Sequence, residues 1–126
     1  MTYPGFVDHL VFRVSGLERT ERFYQALLGQ PLERAEDSLL YVVGDTRLFF
    51  TSTVENQGGM QDKERVGLNH IAFGVRSPAE LKAIQTQLDS FEISHSGLKL
   101  DQYGLREFIW LDDPDGLRIE FYLRPE

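Results

Sequence analysis

The sequence predicts an α+β fold built as two tandem βαβββ modules, forming an open, barrel-like curved sheet with the helices outside. Three observations predict it. Val7-Asp8-His9-Leu10-Val11-Phe12-Arg13-Val14 and Leu68-Asn69-His70-Ile71-Ala72-Phe73-Gly74-Val75 run in step, with apolar residues at matching sites and one histidine in each. Each copy is followed by a helical apolar period and then by three short strand patterns. The 126 residues are too few for two independent cores, because a half of about 55 residues buries too little apolar surface to stand alone. The chain is therefore read as one domain over 1–126, with modules at 5–53 and 67–124 joined by a linker at 54–66.

In the first module, strict alternation from Phe6 to Val14 predicts a strand with Leu10, Phe12 and Val14 on one face and Val7, His9, Val11 and Arg13 on the other. Ser15-Gly16 ends it. From Leu17 to Leu28 the residues Phe23, Tyr24, Leu27 and Leu28 recur at helical spacing, with Gly29 as C-cap and Pro31 blocking continuation. Strands are expected at Leu32–Arg34, Leu39–Val43 and Arg47–Ser52, the last two joined by a tight turn at Gly44-Asp45. Residues 54–66 are polar with a Gly-Gly pair and read as the linker.

The pattern then restarts. Leu68–Val75 is a strand, and Ser77-Pro78 places an N-cap before a proline at the first helical position. Ala79–Leu88 carries Leu81, Ile84 and Leu88 on one face. Strands are expected at Ile93–Leu98, Leu105–Leu111 and Leu117–Leu123, with the turn Asp113-Pro114-Asp115-Gly116 between the last two. The faces with Leu10, Phe12, Val14, Ile71, Phe73, Val75, Ile119, Phe121 and Leu123 are expected under the helices. The opposite faces, with both histidines, are expected to line a shared concavity.

Composition narrows the function. Hydrophobic residues at 41% and charged residues at 26% are ordinary for a soluble protein. A formal net charge of −7 argues against nucleic acid or an anionic membrane as partner. There is no cysteine, hence no disulfide, zinc-thiolate site or cysteine nucleophile, which suits a reducing cytoplasm. No signal peptide is expected from Met1-Thr2-Tyr3-Pro4-Gly5, and no apolar run approaches the roughly 18 residues of a membrane span.

The chemistry concentrates on three residues. Overlaying Leu117-Arg118-Ile119-Glu120-Phe121 on Thr46-Arg47-Leu48-Phe49-Phe50 makes Glu120 the counterpart of Phe49. Alternation puts Glu120 with Arg118 and Tyr122, opposite Ile119 and Phe121. A carboxylate there is costly to bury unless paired or bound to a cation. One outcome is an ion pair with Arg118, Arg13 or Arg47. The other is a two-histidine, one-carboxylate set, His9, His70 and Glu120, which leaves open positions on Fe, Mn, Ni, Co or Zn and lets the metal polarise a substrate oxygen.

The paired βαβββ modules, the strand starts Asp8-His9-Leu10 and Asn69-His70-Ile71, and Asp113-Pro114-Asp115-Gly116-Leu117-Arg118-Ile119-Glu120 together resemble the vicinal oxygen chelate superfamily. It includes glyoxalase I, extradiol dioxygenases, fosfomycin-modifying thiol transferases, methylmalonyl-CoA epimerase and bleomycin-binding proteins. The resemblance covers essentially the whole chain and implies a metal-dependent enzyme chelating vicinal oxygens of its substrate. Glyoxalase I and the epimerase usually take a fourth ligand where this chain has Phe49. Extradiol enzymes carry a tyrosine where Trp110 stands and a histidine near Asp101-Gln102-Tyr103. Fosfomycin enzymes carry a threonine at the place of Val11. The chain departs from each subfamily, and three ligands bring it nearer the dioxygenases and thiol transferases than glyoxalase I.

Around the metal, Arg13 and Arg47 are expected to recognise a carboxylate or phosphate. Phe49 and Trp110 form an aromatic wall with Tyr122 beside them, which favours a hydrophobic or aromatic small-molecule substrate. Tyr103 is the candidate proton donor, with Glu107 or His95 behind it, and His95 is expected as an exposed strand residue. The competing class is a metal-free, ligand-sequestering protein of the bleomycin-resistance type. A homodimer is expected either way, since open sheets expose edges.

Overall fold

The computed structural model describes residues 1–53 and 59–125. Residues 54–58, the first part of the expected linker, lie outside the described residues. Element order is β1 (His9–Val14), α1 (Leu17–Leu28), β2 (Glu33–Arg34), β3 (Ser38–Val43), β4 (Thr46–Ser52), then β5 (His70–Val75), α2 (Pro78–Ser90), β6 (Lys99–Leu100), β7 (Glu107–Asp112) and β8 (Arg118–Leu123). This is βαβββ twice. The chain divides into two compact units, Met1–Gly58 and Gly59–Glu126.

Each unit is a four-stranded mixed sheet with one helix packed on it. The first sheet has the order β1-β4-β3-β2, the second β5-β8-β7-β6. In each, the first strand runs parallel to the last, because the crossover helix brings the chain back in the same direction, and the hairpin strands beyond are antiparallel. The repeat extends to register. Val11 and Leu40 flank Phe49 in the first sheet, while Ala72 and Trp110 flank Glu120 in the second.

In the first unit α1 rests on β3 and β4. Its buried stripe is Leu17, Thr20, Tyr24 and Leu27, with Ala26 beside it, so Phe23 and Leu28 sit at the margin. Phe50 is the centre of this core, 4.3 Å from the Tyr24 ring, 4.9 Å from Phe12 and 6.1 Å from Tyr41. Gly29 ends the helix at φ 83° and donates its N–H to the Gln25 carbonyl, a conformation glycine adopts at little cost.

In the second unit α2 packs on β8, β5 and β7 through buried Leu81 and Leu88. Ser77 caps it by accepting the Glu80 N–H, with Pro78 at the start of the helix, as the local sequence dictates. Along β8, Ile119, Phe121 and Leu123 are buried against the helix while Arg118, Glu120 and Tyr122 are half-buried on the opposite face. Period-2 alternation thus sorts the chemistry away from the helix.

One expected strand is corrected. Residues 93–98 form no strand, and β6 is only Lys99–Leu100. The Ser96 hydroxyl takes the Trp110 N–H, Gly97 N–H donates to His95 Nδ1, and Gly97 sits at φ 73°. Side chains and a positive-φ turn thus use backbone groups that a ladder would need. His95 is corrected with it. Its side chain is only 9% exposed and contacts Asp89 at 2.7 Å, anchoring the loop to α2.

Among the described residues no helix is long and apolar enough to cross a membrane.

Candidate metal centre

His70 opens β5 and Glu120 lies in mid-β8, and parallel pairing of the two strands brings their side chains together. His70 Nε2 is 3.6 Å from Glu120 Oε1. A chain of hydrogen bonds defines the protonation of this ring. Asn69 donates from Nδ2 to the Lys63 carbonyl at 2.7 Å, which turns its Oδ1 toward His70 Nδ1, also at 2.7 Å. Nδ1 must therefore be the donor, and Nε2 of the neutral ring carries a lone pair.

That lone pair faces a carboxylate oxygen. Two electron-pair donors at 3.6 Å repel unless a cation stands between them, either a metal ion or a second ring proton on Nε2. No other ion pair or hydrogen bond holds the Glu120 carboxylate among the described residues, though its side chain is only 17% exposed. Arg118, one of its candidate partners, pairs instead with Asp112 at 2.7 Å. The donor set fits a divalent cation in type and protonation.

The first unit repeats the arrangement. His9 opens β1, and its Nδ1 lies 2.8 Å from Asp8 Oδ2. The bond holds the Asp8 carboxyl below the usual carboxylate range, with Arg47 adding to the effect. In the neutral ring this leaves the lone pair on His9 Nε2. Phe49 meets the His9 ring edge-on at 5.9 Å, in the place where the second sheet has its carboxylate. Among the described residues, no group of three or more His, Cys, Asp or Glu side chains that could hold a metal is found; His70 and Glu120 come together as a pair.

An open depression of about 460 Å³ lies on the helix-free face of the first sheet and includes His9, Val11, Arg13, Phe49 and Thr51. Arg13 donates from Nη1 to the Ser52 carbonyl at 3.3 Å, which keeps it along the rim. Arg47 is exposed and in register with His9. On the second sheet Trp110 pairs with Glu120 and Phe108 with Tyr122. Tyr122 donates a short hydrogen bond to Asp101 Oδ2, which raises the phenol above its ordinary value and lowers the carboxyl. Tyr103 is 90% exposed in the loop beyond.

Sequence reasoning did not assign roles to Asp8, Asn69, Asp101 or Asp112. The signal for the first two stood in the repeat itself: a short side chain with an acceptor oxygen precedes each histidine.

The family model described as Glyoxalase/Bleomycin resistance protein/Dioxygenase superfamily matches residues 6–121. The chain belongs to this superfamily. Among solved structures, a candidate glyoxalase from Bacillus halodurans is similar at a TM-score of 0.81 and 21% identity, over 95% of this chain and 96% of that one. The glyoxalase family protein from Enterococcus faecalis gives a TM-score of 0.73 at 25% identity, covering 93% and 96%. Lactoylglutathione lyase from Agrobacterium tumefaciens gives 0.74 at 16%, covering 98% and 97%. Such low identities show the fold of the superfamily and no more. The uncharacterized protein YaeR of Escherichia coli (strain K12) is 34% identical over 59 residues, 47% of this chain. The match spans 43% of that relative, less than half its length.

Proposed function

We propose that this glyoxalase/dioxygenase-superfamily chain is a metal-dependent enzyme that binds vicinal oxygens of a small hydrophobic or aromatic substrate at His9, His70 and Glu120. The observation that carries the reading is the opposition of His70 Nε2 and Glu120 Oε1 at 3.6 Å, with the ring tautomer set by Asn69. The set draws one ligand from the first module and two from the second, within one chain or across a homodimer.

When bound, the metal supplies Lewis acidity toward a substrate oxygen. The chain's own residues do the rest. Asp8 and Asn69 hold the ring protons on Nδ1, so both imidazoles present Nε2. Phe49 and Trp110 offer apolar walls, Arg13 and Arg47 offer charge to an anionic substituent, and Tyr122 fixes the loop after β6 through Asp101. Tyr103, on that loop, is the candidate proton donor.

Phe49 removes a fourth protein ligand and favours dioxygenase- or thiol-transferase-like chemistry over the glyoxalase I reaction. The similar fold of the Agrobacterium tumefaciens lactoylglutathione lyase does not weigh against this, because at 16% identity it speaks to fold alone. A cytoplasmic homodimer completes the proposal.

Metal analysis of the protein purified without chelators tests it. About one metal per chain is expected, lost in His70→Ala and in Glu120→Ala. No metal even after reconstitution with Fe(II), Mn(II) or Ni(II) overturns the reading. Ligand affinity unchanged in His9→Ala would then favour the metal-free sequestering protein.

A further inference from the structure

The repeat places an arginine beside each histidine, Arg47 in register with His9 and Arg118 in register with His70. Only the second is clamped. Across from Arg47 the neighbouring strand offers Val42, with Leu40 two residues before it. Across from Arg118 the equivalent positions carry Asp112 and Trp110. Arg118 donates from Nε to Asp112 Oδ1 at 2.7 Å, and its guanidinium lies 3.9 Å from the Trp110 ring centroid. The side chain is 18% exposed, whereas Asp112 is 49% exposed and its charge is screened by solvent.

Nε is thus consumed, while Nη1 and Nη2 have no partner among the described residues. A guanidinium held over an indole and tied at one corner has lost most of its rotamer freedom already. It offers its remaining donors as a preorganised fork, the geometry that matches a carboxylate. Trp110 is also the cross-strand partner of Glu120, so the fork and the candidate metal ligand share one face of one sheet.

We infer that Arg118 is a substrate-binding residue and that the substrate carries a carboxylate, held by the Arg118 fork beside His70 and Glu120. The inference rests on the metal-enzyme reading in one respect: the Glu120 charge repels an anion until a divalent cation, or its removal by mutation, offsets it.

Benzoate and its uncharged counterpart benzamide are the probes, followed by ligand-observed NMR and by emission of Trp110, the single tryptophan. Binding is measured to the full chain loaded with Zn(II), and to metal-free Glu120→Gln, which lifts the repulsion without a metal. In both, benzoate is expected to bind about tenfold tighter than benzamide, as one charge-assisted hydrogen-bonded contact provides. In metal-free Glu120→Gln, adding Arg118→Gln should abolish the difference, and adding Arg118→Lys instead, charged but without the planar fork, should keep only part of it; in the Zn(II)-loaded chain Arg118→Gln should reduce it.

Equal binding of the two probes to metal-free Glu120→Gln, or a preference that survives Arg118→Gln undiminished in that background, overturns the inference. Failure of the metal reading looks different: no Zn(II) is taken up, yet the Arg118-dependent preference persists in Glu120→Gln, which supports the fork on its own.

Discussion

Asn69 Oδ1 lies 2.7 Å from His70 Nδ1, and the same Asn69 donates its amide to the Lys63 carbonyl. The bond to Lys63 makes the amide orientation a consequence of backbone position. In the neutral ring the imidazole proton is thereby placed on the nitrogen remote from Glu120, and the lone pair on Nε2 faces the carboxylate.

Removing that support should weaken metal binding without removing a ligand. Asn69→Ala is expected to lower metal affinity by roughly 10- to 100-fold, the usual effect of losing a partner that orients a ligating histidine. Competition titration against a chromophoric chelator measures it. An affinity equal to wild type would show that the ring is held by other means.

Glu120→Gln separates the structural role of this side chain from its ligand role. The carboxylate is little exposed and makes no hydrogen bond among the described residues, so the metal-free variant should be as stable as wild type or more stable, by about 1 kcal/mol. The rise in Tm on adding metal, present in wild type, should vanish. Calorimetry with and without Zn(II) reads both.

Gly116→Ala should destabilise the turn between β7 and β8. Gly116 sits at φ 87°, and a Cβ there would meet the Gln61 carbonyl oxygen at 2.9 Å. The Gln61 N–H donates to the Asp115 carbonyl, so the two segments cannot simply part. A loss of about 1–3 kcal/mol is expected in urea unfolding.

Tyr41 carries a buried hydroxyl with no hydrogen-bond partner among the described residues. Tyr41→Phe should therefore be neutral or stabilising by about 1 kcal/mol, since it removes an unsatisfied group and keeps the ring beside Phe50. Burial, and the nearby Glu21 charge, push the Tyr41 phenol up to about 12. A phenol pKa raised on folding contributes stability that is full below its ordinary value of 10.0 and lost as pH rises toward about 12. Alkaline unfolding curves of wild type should fall through that window, and those of Tyr41→Phe should fall less.

Two faces of one strand were legible in the sequence because alternation is local. His9, Arg13, Glu120 and Tyr122 could be sorted from Leu48, Ile119 and Phe121 by counting in twos, and the overlay of Glu120 on Phe49 holds in the observed register. The capped helix at Ser77-Pro78 and the Asp113–Gly116 turn followed from equally local chemistry. Residues 93–98 did not. Their apolar pattern suits a strand, but Ser96, His95 and Gly97 occupy the backbone with side-chain bonds and a left-handed turn.

The sequence by itself determined the two βαβββ modules, their superfamily and the histidine and carboxylate types at the candidate site, because repeats, turns and period-2 faces are written in neighbouring residues. Tertiary structure alone decided which partners those side chains take. Asp112 rather than Glu120 holds Arg118, Asp101 holds Tyr122, and Asn69 turned by Lys63 sets the His70 tautomer. A hydrogen bond depends on the direction of a donor in space, and that direction exists only once strands and loops distant in sequence have been packed together.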